Sequence, residues 1–123
     1  MTQDGFIARH SQETIKWSKD LSLFKKQTMG WPVIMGSNTF NCINSELKNR
    51  EIIVMGREDS PPKTLEKIDK AKCFIAGGGK TNARFASYLT HLYITPHPNL
   101  FGSGVNLFTG AVKEMNLVFE AIL

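Results

Sequence analysis

The stretch that decides the fold runs from Asp20 to Gly36 and reads DLSLFKKQTMGWPVIMG. Its first half predicts a helix that begins after Ser18, a favourable N-cap, and ends near Met29, where a glycine and then a proline prevent continuation. Residues 31–35 then predict a buried strand, because they form a short apolar run that ends at a glycine turn. A helix followed at once by a buried strand is typical of α/β proteins.

An apolar stripe lies along the predicted helix. Trp17, Leu21, Phe24 and Thr28 fall on one side, and Asp20 flanks them in the first turn. The helix dipole alone explains an acid at this position. A carboxylate on an apolar border is also suited to holding an amidine-like nitrogen heterocycle through two parallel hydrogen bonds. Both interpretations stay open at this point.

The composition is that of an ordinary globular domain, with 123 residues, of which 41% are hydrophobic and 21% charged. The formal charge of +4 is dispersed, so it suits an anionic small ligand and does not favour nucleic acid. We expect no membrane span and no secretory signal. Cys42 and Cys73 are far apart and predict reduced thiols of a cytoplasmic protein, while His10, His91 and His97 form no metal motif.

Helical and strand patterns alternate along the rest of the chain, which predicts layers of helices around a mainly parallel sheet. We expect further strands at 5–8, 51–55, 72–76 and 91–95, helices at 37–43, 64–70 and 80–89, and a last antiparallel edge strand at 115–123. Ser60, Pro61 and Pro62 read as a helix breaker, and a long loop is expected around 96–104.

Three strand ends carry residues suited to phosphate. Gly36-Ser37-Asn38-Thr39 follows the first predicted strand, Gly56-Arg57 the second, and Gly77-Gly78-Gly79-Lys80-Thr81 the third. Ligands gather at the carboxyl ends of parallel strands, and glycines there let a phosphate approach the backbone. The triple glycine fits neither common nucleotide-binding spacing, so a permissive turn explains it equally well.

In order along the chain, these motifs resemble the dihydrofolate reductase superfamily. The similarity is most specific from Asp20 to Phe40, and it continues through 47–58, 74–79 and 92–95. It implies a three-layer domain in which a hydride passes from NADPH to a C=N bond of dihydrofolate or a related pterin. Family members run some tens of residues longer, so we expect residues 1–123 to form a single domain shortened at both ends.

The resemblance also implies roles for individual residues. Asp20 would bind the pterin ring and assist its protonation, and Thr95 would support Asp20 through a hydrogen bond. Trp17 and Phe24 would line the substrate pocket, and Arg50 would pair with the carboxylate of the substrate's glutamate tail. The residues implied to hold NADPH are Ala8, Gly36, Ser37, Asn38, Thr39, Arg57, Gly77, Gly78, Gly79, Lys80 and Thr81.

Other features leave the activity open. Asp4-Gly5-Phe6-Ile7-Ala8 and residues 98–104 resemble the sister branch, the reductase domain of riboflavin biosynthesis, which implies a ribosylaminopyrimidine or another small imine or carbonyl as the substrate. Ser37 and Asn82 replace an arginine and a tyrosine common in relatives, so a catalytically idle nucleotide-binding protein is a third hypothesis. Open sheet edges predict a homo-oligomer, most simply a dimer.

Overall fold

A computed structural model describes residues 1–10, 12–13, 21–43, 47 and 49–110. The strands are β1 (Phe6–Ala8), β2 (Val33–Gly36), β3 (Ile52–Met55), β4 (Phe74–Ile75) and β5 (Val105–Asn106). The helices are α1 (Leu21–Thr28), α2 (Ser37–Ile43), α3 (Pro61–Glu66) and α4 (Gly79–Phe85), with a 3₁₀ turn over Ala86–Tyr88.

The strands form two separate sheets. β2 lies between β3 and β4 in a three-stranded parallel sheet, which confirms the parallel arrangement expected from the sequence. In the β2–β3 register, Gly36 stands opposite Met55, so the carboxyl ends of these two strands are level. β1 and β5 pair antiparallel as a two-stranded ribbon.

Alternation along β2 builds a core on each face of the parallel sheet. Val33 and Met35 are fully buried in one cluster with Leu47, against which Phe24 of α1 and Phe40 of α2 pack. Ile34 points to the opposite cluster, which holds Met55 and Phe85 and is covered by Leu65 of α3. Helices therefore cover both faces, and the layered α/β architecture is confirmed.

Helix α1 confirms the helix expected before β2, although its stripe is uneven. Thr28 is fully buried and its hydroxyl donates to the carbonyl of Phe24 at 2.9 Å, whereas Leu21 is 40% exposed. The apolar stripe expected to include Leu21 is therefore not buried at that residue, and α1 contacts the core through Phe24, which packs on the cluster of Val33, Met35 and Leu47. Ser18 and Trp17 lie outside the described residues.

Helix α3 begins three residues earlier than expected. Ser60 is its N-cap and accepts a hydrogen bond from the N–H of Lys63, and Pro61 and Pro62 occupy the first turn. The interpretation of Ser60-Pro61-Pro62 as a breaker is wrong, because a proline in the first turn sacrifices no intrahelical hydrogen bond.

Residues 91–95 form no strand, which corrects another expectation. The end of this segment bonds elsewhere, since the carbonyl of Thr95 accepts from the amino group of Met1 at 2.9 Å, and the N–H of His97 donates to the carbonyl of Met1 at 2.9 Å. Val105 and Asn106, directly after the expected loop and not predicted as a strand, form β5 opposite β1. The strand expected at 115–123 lies outside the described residues.

Candidate functional site

The turns after β2 and β4 meet at the carboxyl edge of the parallel sheet. The N–H of Gly36 donates to the carbonyl of Gly77 at 2.9 Å, which holds the two turns side by side. A side chain at Gly36 would come within 2.8 Å of the Thr81 hydroxyl, so the two turns are packed too closely for any larger residue. The sequence-predicted residues Gly36, Thr39, Gly77, Gly78 and Thr81 are thus brought together.

The triple-glycine turn presents bare backbone. Gly77 has φ +102°, a conformation that favours glycine, and the peptide bond between Gly77 and Gly78 is cis. A Cβ built on either residue meets only the Thr39 hydroxyl, at 3.7 Å. Helix α4 begins at Gly79, directly after this turn, and the first N–H groups of a helix have no acceptor within it. The turn can therefore accept an anionic group against its backbone.

Gly79 performs a different task from its two neighbours. A Cβ here would lie 2.5 Å from the carbonyl oxygen of Asn106 and would also collide with the hydroxyl of Thr109. The N–H of Thr109 donates to the carbonyl of Gly79 at 2.9 Å. Gly79 thus lets the segment after β5 lie directly on the start of α4.

Asn82 completes this attachment. Its side chain is 9% exposed, and Nδ2 donates to the carbonyl of Leu107 at 2.8 Å. Because β5 pairs with β1, the attachment also fixes Ala8, which stands opposite Val105 in the ribbon. The two bonds place the ribbon, and Ala8 with it, beside the glycine turn.

Arg57 lies at the same edge of the sheet. It lies two residues after Met55, the last residue of β3, which stands opposite Gly36 in the β2–β3 register. Arg57, Ser37, Asn38 and Lys80 are all exposed. Arg57 therefore lies beyond the same end of the sheet as the turn that begins at Gly36.

Phe24 packs on the cluster of Val33 and Met35, and Arg50 bonds to the residue that follows Phe24 in α1. Nη2 of Arg50 donates to the carbonyl of Lys25 in α1 at 3.3 Å and lies 3.6 Å from the sulfur of Met29. Nε and Nη1 of the same guanidinium are buried and have no hydrogen-bond partner within the described part of the chain. Two buried donors without an acceptor are costly, and they suit a carboxylate or phosphate.

Thr95 and Asp4 lie around the N-terminal turn. The half-buried Thr95 is held through its carbonyl by Met1, while its expected partner, Asp20, lies outside the described residues, as does Trp17. Asp4 accepts from the Thr2 hydroxyl at 2.7 Å and from the N–H groups of Phe101 and Gly102. The Thr2 hydroxyl, followed by these backbone donors, lowers the pKa of Asp4.

Sequence reasoning missed several residues that organise this region. Asp59 accepts from the N–H of Gly56 at 2.7 Å and so closes the turn after β3; aspartate is a common turn residue, and that is the local signal. Arg84 donates to the carbonyls of Gly56 and Asp59. The sequence shows Asn82 only as a replacement for a tyrosine common in relatives, whereas in the structure its amide donates to the carbonyl of Leu107. For Arg84 no local pattern could reveal a contact with residues 25 and 28 positions away.

Within the described ranges, no group of three or more His, Cys, Asp or Glu side chains could hold a metal ion. The same part of the chain has no helix with the length and apolarity needed to cross a bilayer. Burial raises the pKa of the Cys73 thiol, which packs beside the cluster of Ile34 and Phe85.

Comparisons with known proteins agree on one family. The family model described as "Dihydrofolate reductase" matches residues 1–102. A dihydrofolate reductase of Bacillus subtilis is 33% identical over 88 residues, which cover 62% of this chain and 52% of that protein. A dihydrofolate reductase of Haemophilus influenzae is 29% identical over 105 residues, covering 76% of this chain and 66% of that protein. The match thus spans about half to two thirds of these curated relatives.

Proposed function

The chain belongs to the dihydrofolate reductase family, and we propose that it reduces dihydrofolate or a related pterin with NADPH as the hydride donor. The observation that carries this proposal is the convergence of two glycine turns on one edge of the parallel sheet, with bare backbone at Gly77 and Gly78. The second support is the guanidinium of Arg50, two of whose donors are buried and have no partner among the described residues.

The cofactor side fits a phosphorylated dinucleotide. Gly77 and Gly78 leave space that a side chain would fill, and Thr39 supplies a hydroxyl beside it. Arg57 adds an exposed cation, and a guanidinium matches phosphate geometry. In this proposal the glycine turns and Thr81 bind the coenzyme backbone, Ala8 borders it from the ribbon, and Ser37, Asn38 and Lys80 complete the edge. Bound NADPH would supply the hydride.

The substrate side fits an anionic tail. Arg50 is anchored to α1 by one nitrogen, and its Nε and Nη1, which are buried and have no partner among the described residues, would pair with a carboxylate that enters beside them. Phe24, whose ring packs on the Val33 and Met35 cluster, would form the wall of the pocket, together with Trp17. Asp20 would hold the pterin ring and assist its protonation, with Thr95 as its support.

Replacing Arg50 tests the proposal because it should weaken substrate binding without lowering the stability of the protein. Arg50→Met removes two buried donors that lack acceptors, so the protein without ligand should be at least as stable as the wild type. The same change should raise KM for dihydrofolate roughly 10- to 100-fold, the equivalent of the ~1.5–3 kcal/mol of charged hydrogen bonds. KM for a dihydropterin without the glutamate tail should stay unchanged. Lys26→Gln, which removes an exposed charge from α1, is the matched control.

The assay is the loss of NADPH absorbance after the addition of dihydrofolate, with wild type, Asp20→Asn and Arg50→Met side by side. Turnover that Asp20→Asn abolishes is the expected result. Turnover of a ribosylaminopyrimidine and none of dihydrofolate would replace the proposal with the riboflavin-type reaction. NADPH binding without turnover of any substrate would favour an idle nucleotide-binding protein.

The setting of this activity is also part of the proposal. A reductase that uses NADPH and a small pterin would work in the cytoplasm, and the edges of the parallel sheet, which have no partner strand among the described residues, would favour a homodimer. Light scattering of the purified protein tests the dimer.

A further inference from the structure

The turn after β3, residues 56–59, is held from a distance by Arg84 in the last turn of α4. Nη1 of Arg84 donates to the carbonyl of Gly56 at 3.0 Å, and Nη2 donates to the carbonyl of Asp59. The Asp59 carboxylate in turn accepts from the N–H of Gly56 at 2.7 Å. One guanidinium thus bridges both ends of the turn.

Arg57 lies between the two carbonyls that Arg84 binds. Its side chain is exposed, and it lies two residues beyond Met55, which stands opposite Gly36 in the β2–β3 register. The carboxylate of Asp59, two residues further along the turn, accepts from the N–H of Gly56. The backbone that presents Arg57 is therefore fixed, while its guanidinium faces outward.

We propose that Arg84 is a positioning residue for coenzyme selectivity: by bridging Gly56 and Asp59, it holds Arg57 where the 2′-phosphate of NADPH would bind. This inference rests on the proposed function. A preorganised cation loses less conformational entropy when it binds its anion. A phosphate present in NADPH and absent from NADH would then be recognised through Arg57, with Arg84 acting only through the turn.

A purely structural role for Arg84 makes a different prediction. If its two hydrogen bonds served only to fasten α4 to the turn after β3, its removal would weaken the binding of every ligand alike, by lowering the population of the folded protein. The ratio of NADPH affinity to NADH affinity would then stay constant. The ratio therefore separates positioning from general stability.

The experiment measures the dissociation constants of NADPH and NADH by calorimetry for the wild type, Arg57→Ala, Arg84→Gln and the double variant. We expect Arg57→Ala to lower the NADPH preference roughly tenfold or more, as the loss of a charge-assisted contact implies. Arg84→Gln should lower the preference severalfold and leave NADH affinity unchanged. The double variant should equal Arg57→Ala, because Arg84 acts through that side chain.

Two further variants sharpen the test. Arg84→Lys keeps the charge but cannot span both carbonyls, so it should also lower the preference for NADPH over NADH. It replaces Arg84→Gln in the experiment if that variant fails to fold. Lys67→Gln removes one exposed charge outside the turn and should leave the preference unchanged.

The outcomes are distinct. Equal weakening of NADPH and NADH by the Arg84 variants, or additive losses in the double variant, overturns this inference and leaves the proposed function intact. A wild-type protein that binds neither coenzyme overturns the proposed function and this inference with it. If Arg84→Gln lowers only the affinity for NADPH, and has no further effect once Arg57 is alanine, the result supports both the proposed function and this inference.

Discussion

Gly79→Ala tests how closely the ribbon is packed on α4. The new Cβ would lie 2.5 Å from the carbonyl oxygen of Asn106, a backbone atom that cannot rotate away, and would collide with the Thr109 hydroxyl. Gly79 lies inside a helix, so alanine meets no conformational barrier there and space alone decides the effect. Relief of the collision would also disturb the 2.9 Å hydrogen bond from the N–H of Thr109 to Gly79.

The change in the free energy of unfolding has three contributions, of which two destabilise the protein and one stabilises it. Overpacking costs about 1–3 kcal/mol, a lost hydrogen bond costs about 0.5–1.5 kcal/mol, and the stiffer unfolded chain returns about 0.4–1 kcal/mol. The net destabilisation should be about 2 kcal/mol. In a urea titration this corresponds to a midpoint lower by about 1 M.

The neighbouring glycine supplies the matched control. A Cβ on Gly78 meets nothing closer than the Thr39 hydroxyl at 3.7 Å, and its φ of −76° is open to alanine. Gly78→Ala should therefore unfold at the same urea concentration as the wild type or at a slightly higher one, because alanine stiffens the unfolded chain. A Gly79→Ala protein as stable as the Gly78→Ala protein would refute the close approach of the ribbon to α4.

The remaining predictions concern the turn, the ribbon and the N-terminal turn. Gly78→Ala should weaken NADPH binding roughly tenfold, ~1.4 kcal/mol, in calorimetry, because its methyl group occupies the bare backbone surface. Asn82→Ala leaves the carbonyl of Leu107 without its donor and should lower stability by about 1–3 kcal/mol in thermal denaturation, whereas unchanged stability would contradict the assigned bond. The pKa of Asp4 is lowered on folding from its ordinary 3.8, so its contribution to stability is present above that pH and is lost as the pH falls through the lowered pKa. Asp4→Asn should therefore destabilise the protein at neutral pH and converge with the wild type in acid, and parallel pH–stability curves would show that reasoning to be wrong.

Much of the parallel sheet could be predicted from the sequence because its signals are local. Val33 to Met35 is an apolar run bounded by a proline and a glycine, and it is buried as such a run requires. The three turns with glycine could be placed at one edge because parallel strands share a direction. At β2 and at these glycine turns, the structure that the local sequence favours is the one found in the folded protein.

The parts that escaped prediction depend on contacts between distant segments. Residues 91–95 have the composition of a strand, yet the carbonyl of Thr95 bonds to Met1 instead of a neighbouring strand. Val105 and Asn106 form a strand only because β1 lies opposite them. The donors of Arg84 reach the turn after β3 from another helix, and no spacing within α4 encodes that contact.

The attachment of the ribbon to α4 links two parts of the protein thermodynamically. An isolated two-stranded ribbon is only marginally stable, so β1 and β5 depend on the bonds made by Thr109 and Asn82. Any ligand that binds the adjacent glycine turn raises the free energy of openings that separate the ribbon from the helix. Amide protons of the ribbon should then exchange with solvent more slowly in the ligand-bound protein, so Val105 would report occupancy of a turn that it does not line.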